Sequence, residues 1–276
     1  MDFLISDEQK QLQDLIHQFI QKDYPFDVRE KLVKTEEGFS KDFWKTFSQF
    51  GLLAMPFSEE DGGFNGGPVD VMIILEAFGT GLIVEPYIPN IVLSGNLVSK
   101  LGSKEQKEAI LPNLLNGDMQ LAFAFSEPQS RFDLNDVTTS AEKDGEGYKL
   151  NGYKSVVING PAADKLIVSA RTAGSQLDEN GISLFIVDRD ADGVSLRDYS
   201  NVDGSKASEL TLENVVLPKE ALLGDQDKAF STIEEVVNLA TLAISAEAIG
   251  IMQKMNELTL ESVSYTHLTL PTNREV

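Results

Sequence analysis

Cysteine is absent from the 276-residue sequence, and only two histidines, His17 and His267, are present. Without thiols the protein has no disulfide framework, no cysteine-ligated zinc or iron–sulfur site and no cysteine nucleophile. A metal site built from several histidines is also disfavoured. We therefore expect no metal site and assign no function to His267.

Positive charge is scarce, because 23 Lys and Arg residues face 44 Asp and Glu residues, a formal net charge of −21. Nucleic acid is disfavoured as a partner, since binding its phosphate backbone needs a basic surface. An anionic ligand such as a nucleotide would need a local basic pocket or helix N-termini.

Long apolar runs are missing too: no segment reaches about 18 consecutive apolar residues, so we expect no membrane-spanning segment and no membrane partner. The N-terminus, MDFLISDEQK, is acidic and amphipathic, unlike a secretory signal. The composition, with 42% hydrophobic and 24% charged residues, is that of a soluble globular protein. These features predict a cytoplasmic protein.

Helical periodicity dominates residues 1–117, which we predict to form an N-terminal all-helical domain. Helix-start signals occur at four places: Ser6 with Gln9, Ser40, Pro68, and Ser103 with Gln106. Pro112 is expected to kink the last of these helices.

Between 118 and 222 the hydrophobic period changes to two, which predicts short strands in a small antiparallel β-barrel. Asn151-Gly152, between two apolar runs, predicts a two-residue hairpin. Turn-rich clusters at 144–147, 174–181 and 190–193 should separate further strands.

Residues 223–263 return to helical periodicity and predict the first helix of a C-terminal helical bundle. Its apolar stripe is Phe230, Ile233, Val237, Ile244, Ala248 and Ile251. The predicted fold is thus a multidomain α+β protein: a helical domain, a β-barrel and the start of a second helical domain.

Four segments in this order resemble the acyl-CoA dehydrogenase family: residues 51–67, 102–128, 144–172 and 212–225. The resemblance extends over about residues 2–261. The segments KSVVING and LIVSART resemble the corresponding segments in the small subunits of heteromeric, pimeloyl-CoA dehydrogenase-type enzymes. The resemblance implies FAD-dependent α,β-desaturation of an acyl-CoA, electron transfer to an electron-transfer flavoprotein, and a homo- or hetero-oligomer.

The resemblance also implies a set of FAD-contacting positions. They are Phe123, Phe125 and Ser126 at the segment that reads Thr-Glu-Pro in the family, Arg131 at the pyrophosphate turn, and Val156 and Ile158 on the strand beside the flavin. Ser126 keeps the hydroxyl that a hydrogen bond to the flavin requires. Arg131 could donate to phosphate in place of the family's small residues, or be a solvated loop charge.

Several of these positions depart from the family pattern. Val156 replaces a tryptophan that covers the flavin, and Ile158 replaces a threonine that bonds its reactive edge, so both could be packing residues. At positions that contact coenzyme A or carry the base in the family, the chain has Asn238, Thr241 and Ala240. Glu234, Glu235 and Glu247 are expected to be exposed helix charges.

No catalytic residue is assigned, because the usual catalytic glutamate of the family lies beyond the end of this chain. The last residues, 264–276, resemble a translated adapter sequence, which suggests a truncated chain with a foreign tail. Three functions remain open: a catalytic subunit, a non-catalytic subunit that helps to hold FAD, and an oxidase or flavin monooxygenase on the same fold.

Overall fold

The computed structural model describes the backbone of residues 5–268 and the side chains of residues 5–263. Residues 269–276, most of the predicted foreign tail, lie outside the described residues, as does the side chain of His267. The order of elements is helical, then β, then helical. This order agrees with the predicted fold class.

The N-terminal part is built from helices, four of which begin at the predicted signals. The helices are α1 (Asp7–Asp23), α2 (Phe26–Leu32), α3 (Lys41–Gln49), α4 (Pro68–Gly81), a π-helical segment (Ile88–Gly95), α5 (Asn96–Leu101) and α6 (Lys104–Leu115). The four with predicted starts are α1, α3, α4 and α6. Ser6 and Ser103 form capping boxes with Gln9 and Gln106. Helix α6 continues through Pro112.

The middle part is one eight-stranded sheet. Its strands are β1 (Leu121–Ala124), β2 (Ser140–Asp144), β3 (Gly147–Ile158), β4 (Lys165–Arg171), β5 (Ile182–Asp188), β6 (Val194–Ser200), β7 (Lys206–Leu217) and β8 (Leu222–Leu223). The order is β6-β7-β3-β2-β4-β5-β8, with β1 added on β4. The sheet is mixed rather than wholly antiparallel, because β1 and one residue of β2 pair with β4 in parallel.

The predicted hairpin at Asn151-Gly152 is wrong. These residues lie inside β3, where the register against β7 shifts between Leu150 and Gly152. A Cβ atom on Gly152 would lie 2.5 Å from the Thr139 side chain, so glycine here serves a bulge and a close approach. The β2–β3 hairpin instead turns at 145–146, inside the predicted turn cluster 144–147.

Two apolar cores lie in the described part of the chain. The larger one joins the helices to one side of the sheet, where Phe123, Ile167 and Leu184 belong to it. The smaller one lies within the sheet and includes Leu150 and Val157. Strand β3 therefore has one face in the sheet interior, while its other face is directed outward.

Helix α7 (Phe230–Leu268) packs on α4, and the predicted stripe is buried only in part: Ile233 is buried, and Phe230 and Val237 pack against the larger core. Ala240, Ala243 and Ala246 are buried, whereas Ile244 and Ala248 of the predicted stripe are exposed. The helices meet where a Cβ on Gly250 would lie 1.9 Å from the Glu76 carbonyl oxygen. Only small side chains permit so close an approach at this point.

Within the described residues, Phe230–Val263 is long and apolar enough to cross a membrane by length and composition. The sequence has no unbroken apolar run of about 18 residues, but the average hydropathy of this helix is high enough to meet that criterion. The expectation that the sequence contains no candidate membrane-spanning segment is corrected accordingly. The core helix of a soluble protein meets the same criterion, and one face of α7 is buried on α4. The outward face carries Leu242, Ile249, Met252 and Met255.

The contact between α4 and α7 predicts a large effect of adding one methyl group. Gly250→Ala should lower the free energy of unfolding by about 2–3 kcal/mol, because the new Cβ overlaps the α4 backbone. The measurement is urea unfolding followed by circular dichroism. The control is Ala248→Leu at an exposed position of the same helix, which should change stability by less than about 0.5 kcal/mol. Equal stabilities for Gly250→Ala and the native protein would contradict the packing.

Candidate functional site

Ser126 and Val156, both predicted to contact FAD, lie side by side in the structure. They form an isolated antiparallel bridge between the segment after β1 and strand β3. The Ser155 amide donates to the Ser126 carbonyl oxygen at 2.9 Å. Residues directly opposite in an antiparallel pair project to the same face, so the Ser126 hydroxyl and the Val156 side chain share one surface.

Val156 and Ile158 form an apolar strip on the outward face of β3. Their exposed fractions are 38% and 44%, while Val157 between them is fully buried. Among the described residues, the Ser126 hydroxyl has no hydrogen-bond partner and remains available to a ligand. An apolar strip beside a free hydroxyl matches a flat aromatic ring with a polar edge, so these residues fit the isoalloxazine of FAD.

The two predicted phenylalanines occupy different depths. Phe123 is only 2% exposed and belongs to the larger core. Its ring stacks on that of Phe125, with centroids 4.8 Å apart, and Phe125 is half-buried. The stacked pair therefore packs against the larger core, with Phe125 the more accessible of the two rings.

Arg131 lies in an exposed turn after Ser126. Its φ angle is +49°, the left-handed conformation that favours glycine. The turn thus keeps a glycine-like backbone although the small residues of the family pattern are absent. No ion pair to Arg131 occurs within residues 5–263, and the neighbouring Phe132 is 97% exposed. The guanidinium is therefore free to meet an anionic ligand.

A cavity of about 260 Å³ adjoins Ile158 between the helical part and the sheet. Its walls are mainly apolar and include Phe39, Phe78, Tyr87, Ile244 and Ile251. The π-helical segment and α7 bound it on two sides. The cavity can accept an apolar chain next to the strip on β3.

Four carboxyl groups line this cavity, those of Glu37, Glu85, Asp203 and Glu247, and two of them have a raised pKa. Burial raises the pKa of Glu85 to about 7. The Ser40 amide donates a hydrogen bond to the Glu85 carboxyl at 3.3 Å. Burial, aided by the charge of Asp203, raises the pKa of Glu247 to about 7. Glu247 was expected to be an exposed helix charge, which is wrong, because its helix turns it into the cavity.

The other predicted positions on α7 remain at the surface or in the helix contact. Asn238 and Thr241 are exposed, and Ala240 is buried. Glu234 is exposed, and Glu235 pairs with Lys100 at 2.8 Å. None of these five residues lines the cavity beside Ile158.

Sequence reasoning missed a buried ion pair next to the site. Lys154 Nζ lies 2.7 Å from Glu127 Oε1, and neither side chain is exposed. Burial disfavours the charged form of Glu127, but the Lys154 ammonium outweighs it and holds the pKa of that carboxyl well below its usual range. Burial lowers the pKa of Lys154, against the opposing effect of Glu127. A lysine at an inward position of a strand was the available signal.

The raised pKa of Glu85 predicts a pH-dependent stability. Between its unfolded value near 4.3 and its folded value of about 7, the folded protein binds the proton more tightly, so this contribution to stability is lost as pH rises through 7. Glu85→Gln removes the ionisable group. Relative to the native protein, its free energy of unfolding should rise by roughly 2.5 kcal/mol between pH 5 and pH 8.

Urea unfolding at both pH values measures this difference. Glu142→Gln, at an exposed position of β2, is the control and should show no pH-dependent difference from the native protein. An equal effect of Glu85→Gln at pH 5 and pH 8 would show that Glu85 does not titrate in this range.

Known protein-family domains match both the N-terminal helical part and the sheet of this protein. The acyl-CoA dehydrogenase N-terminal domain matches residues 6–118, and the acyl-CoA dehydrogenase middle domain matches residues 122–215. A 2-methylacyl-CoA dehydrogenase of Solanum tuberosum is 32% identical over 271 residues, covering 94% of this chain and 64% of the relative. The chain spans 62% to 68% of the length of eight curated relatives that it matches.

Solved structures agree with the sequence relatives. The butyryl-CoA dehydrogenase of Megasphaera elsdenii superimposes with a TM-score of 0.85 at 26% identity, covering 99% of this chain and 72% of that one. The prolyl acyl carrier protein oxidase AnaB gives a TM-score of 0.83 at 28% identity, covering 94% and 69%. With both domain matches covering most of the chain in the expected order, this protein belongs to the acyl-CoA dehydrogenase family.

Proposed function

We propose that the chain forms the flavin side of the active site in a FAD-dependent acyl-CoA dehydrogenase. The observation that carries this proposal is the apolar strip of Val156 and Ile158 with the adjacent Ser126 hydroxyl. When bound, FAD supplies the acceptor for the hydride that leaves the β-carbon of the acyl group. Ser126, Phe125 and the strip bind and orient its ring, and Arg131 meets the pyrophosphate.

The cavity beside Ile158 supports an acyl group as the substrate. Its apolar walls exclude water from the chain and hold it next to the face of β3. Its volume of about 260 Å³ leaves room for an apolar chain. The base that removes the α-proton lies, in this proposal, outside the described residues.

The finer features of the proposal come from the resemblance. We place the protein in the cytoplasm as a subunit of a homo- or hetero-oligomer, similar to the small subunits of pimeloyl-CoA dehydrogenase-type enzymes. Its electrons then pass to an electron-transfer flavoprotein. The outward apolar face of α7 is consistent with burial against further protein, since exposed apolar area of this kind favours association.

Two other functions compete with that of a catalytic dehydrogenase subunit: a non-catalytic subunit that holds FAD, and an oxidase. Val156 and Ile158 lack the polar and aromatic groups that tune the flavin in the family, which favours a subunit that holds FAD while a partner provides the base. The likeness to the oxidase AnaB favours reaction of reduced flavin with oxygen. Rapid reoxidation by oxygen, measured by stopped-flow absorbance, would select this second alternative.

Placing a charge on the strip should weaken FAD binding. Val156→Asp puts a carboxylate against the ring face, and we expect the apparent Kd for FAD to rise by at least about tenfold, because burying an unpaired charge costs more than 1.4 kcal/mol. Flavin fluorescence during titration with FAD measures the Kd. The control is Val216→Asp, an exposed valine on β7 that leaves the Kd unchanged. Equal weakening in both variants would place FAD elsewhere.

Catalysis and scaffolding can be separated by adding a partner. We expect no desaturation of acyl-CoA by the isolated chain and measurable desaturation when it is co-expressed with a dehydrogenase subunit that provides the carboxylate base. Dye reduction with acyl-CoA substrates of different chain length measures the rate. Normal turnover by the chain alone would eliminate the scaffold alternative.

A further inference from the structure

The buried pair of Glu127 and Lys154 lies between two parts of the proposed flavin site. Glu127 follows Ser126 directly, and Lys154 lies two residues before Val156 on β3. Besides Glu127, the Lys154 ammonium donates to Ser169 Oγ on β4 at 3.0 Å. A buried ion pair gives little net stability compared with apolar residues of similar volume, so its presence calls for another role.

The Glu127 carboxylate also binds the loop 128–139. Its Oε2 accepts hydrogen bonds from the Thr138 amide at 2.8 Å, from Gln129 Nε2 at 2.9 Å and from the Thr138 hydroxyl. Its Oε1 accepts one from the Thr139 amide at 3.1 Å. Both ends of the loop are therefore tied to one carboxylate.

Ser130 fixes the first turn of this loop against Glu127. The Ser130 hydroxyl donates to the Glu127 carbonyl at 2.9 Å and accepts from the Glu127 amide at 3.1 Å. Arg131, with its left-handed backbone, comes next. The position of the guanidinium thus depends on the same residue that holds the ends of the loop.

Lys154 makes this arrangement possible. A carboxylate buried without a counter-charge would be protonated or drawn to solvent, and a neutral carboxyl would accept these hydrogen bonds less strongly. The ammonium keeps Glu127 ionised, while its contact with Ser169 anchors the pair to the next strand.

The geometry points to Glu127 and Lys154 as positioning residues of the flavin site, which hold loop 128–139 so that Ser126 lies beside Val156 and Arg131 keeps its place in the turn. This inference rests on the proposed function, because it assumes FAD on this surface. Neither residue is assigned a contact with FAD. They affect flavin binding only by holding loop 128–139 in position.

Three variants test the inference: Lys154→Met, Glu127→Gln and the double variant. Each single variant should raise the apparent Kd for FAD by about tenfold, the scale expected when binding groups lose their position. Hydrogen exchange without flavin should show faster exchange at the Thr138 and Thr139 amides. The double variant should recover the unfolding midpoint, since no buried charge is left unpaired, but neither the FAD affinity nor the slow exchange. If Lys154→Met alone fails to fold, the double variant still tests the inference.

Two control variants separate positioning from general stability. Lys165→Met removes a largely exposed ion pair with Asp188 in the same sheet and should leave FAD affinity unchanged. Leu150→Ala destabilises the sheet interior without touching the loop, and it too should keep the FAD affinity under conditions in which it is folded. In both controls the Thr138 and Thr139 amides should exchange as slowly as in the native protein.

The outcomes distinguish the two proposals. Two results would overturn the positioning role and leave the proposed function intact. One is a double variant that recovers FAD affinity together with stability; the other is a loss of FAD affinity in Leu150→Ala equal to that in the single variants of the pair. Failure of the native chain to bind FAD at any concentration would overturn the proposed function itself and, with it, this inference.

Discussion

A buried hydrogen-bonded junction between the helical part and the sheet determines where the site lies. Asn90, in the π-helical segment, accepts from the Leu121 amide at 2.8 Å and donates to Gln120 Oε1 at 2.8 Å. Asn159, at the end of β3, donates to the Leu121 carbonyl at 3.0 Å. Because buried amides must be satisfied in place, this junction fixes β1 and the end of β3 against the helices. The strip on β3 and the adjoining cavity follow from that arrangement.

Charge inside the protein is distributed differently from charge on its surface. The chain is strongly acidic overall, yet the proposed FAD surface carries Arg131, which has no ion pair within residues 5–263, and the Lys154 ammonium is buried in a pair with Glu127. Two carboxyls with raised pKa line the neighbouring cavity. Local burial and pairing thus decide the electrostatics of the site, and the net charge mainly governs how the surface meets other macromolecules.

Most local structure could be predicted from the sequence. The capping boxes at Ser6 and Ser103 fixed helix starts because their hydrogen bonds are formed within one turn. The strand regions followed from alternating apolar residues. Helix α2 and the π-helical segment were not predicted. The π-helical segment is almost wholly buried, and α2 is tied by Arg29 to the carbonyl oxygens of the distant residues Leu82 and Asp203. The bulge at Gly152 was also missed, because its cause, the close approach of Thr139, involves a residue of the loop that precedes β2.

The sequence by itself determined the fold class, the order of domains and the family, because these depend on periodicity, capping and motifs that are local in the chain. Tertiary structure decided which of the predicted residues form a surface. It put Ser126 opposite Val156, left Ile158 open to the cavity and buried Phe123 beneath Phe125. It also turned Glu247 into the cavity and paired Lys154 with Glu127. These outcomes depend on strand register and on the close approach of α4 and α7, which involve residues far apart in sequence.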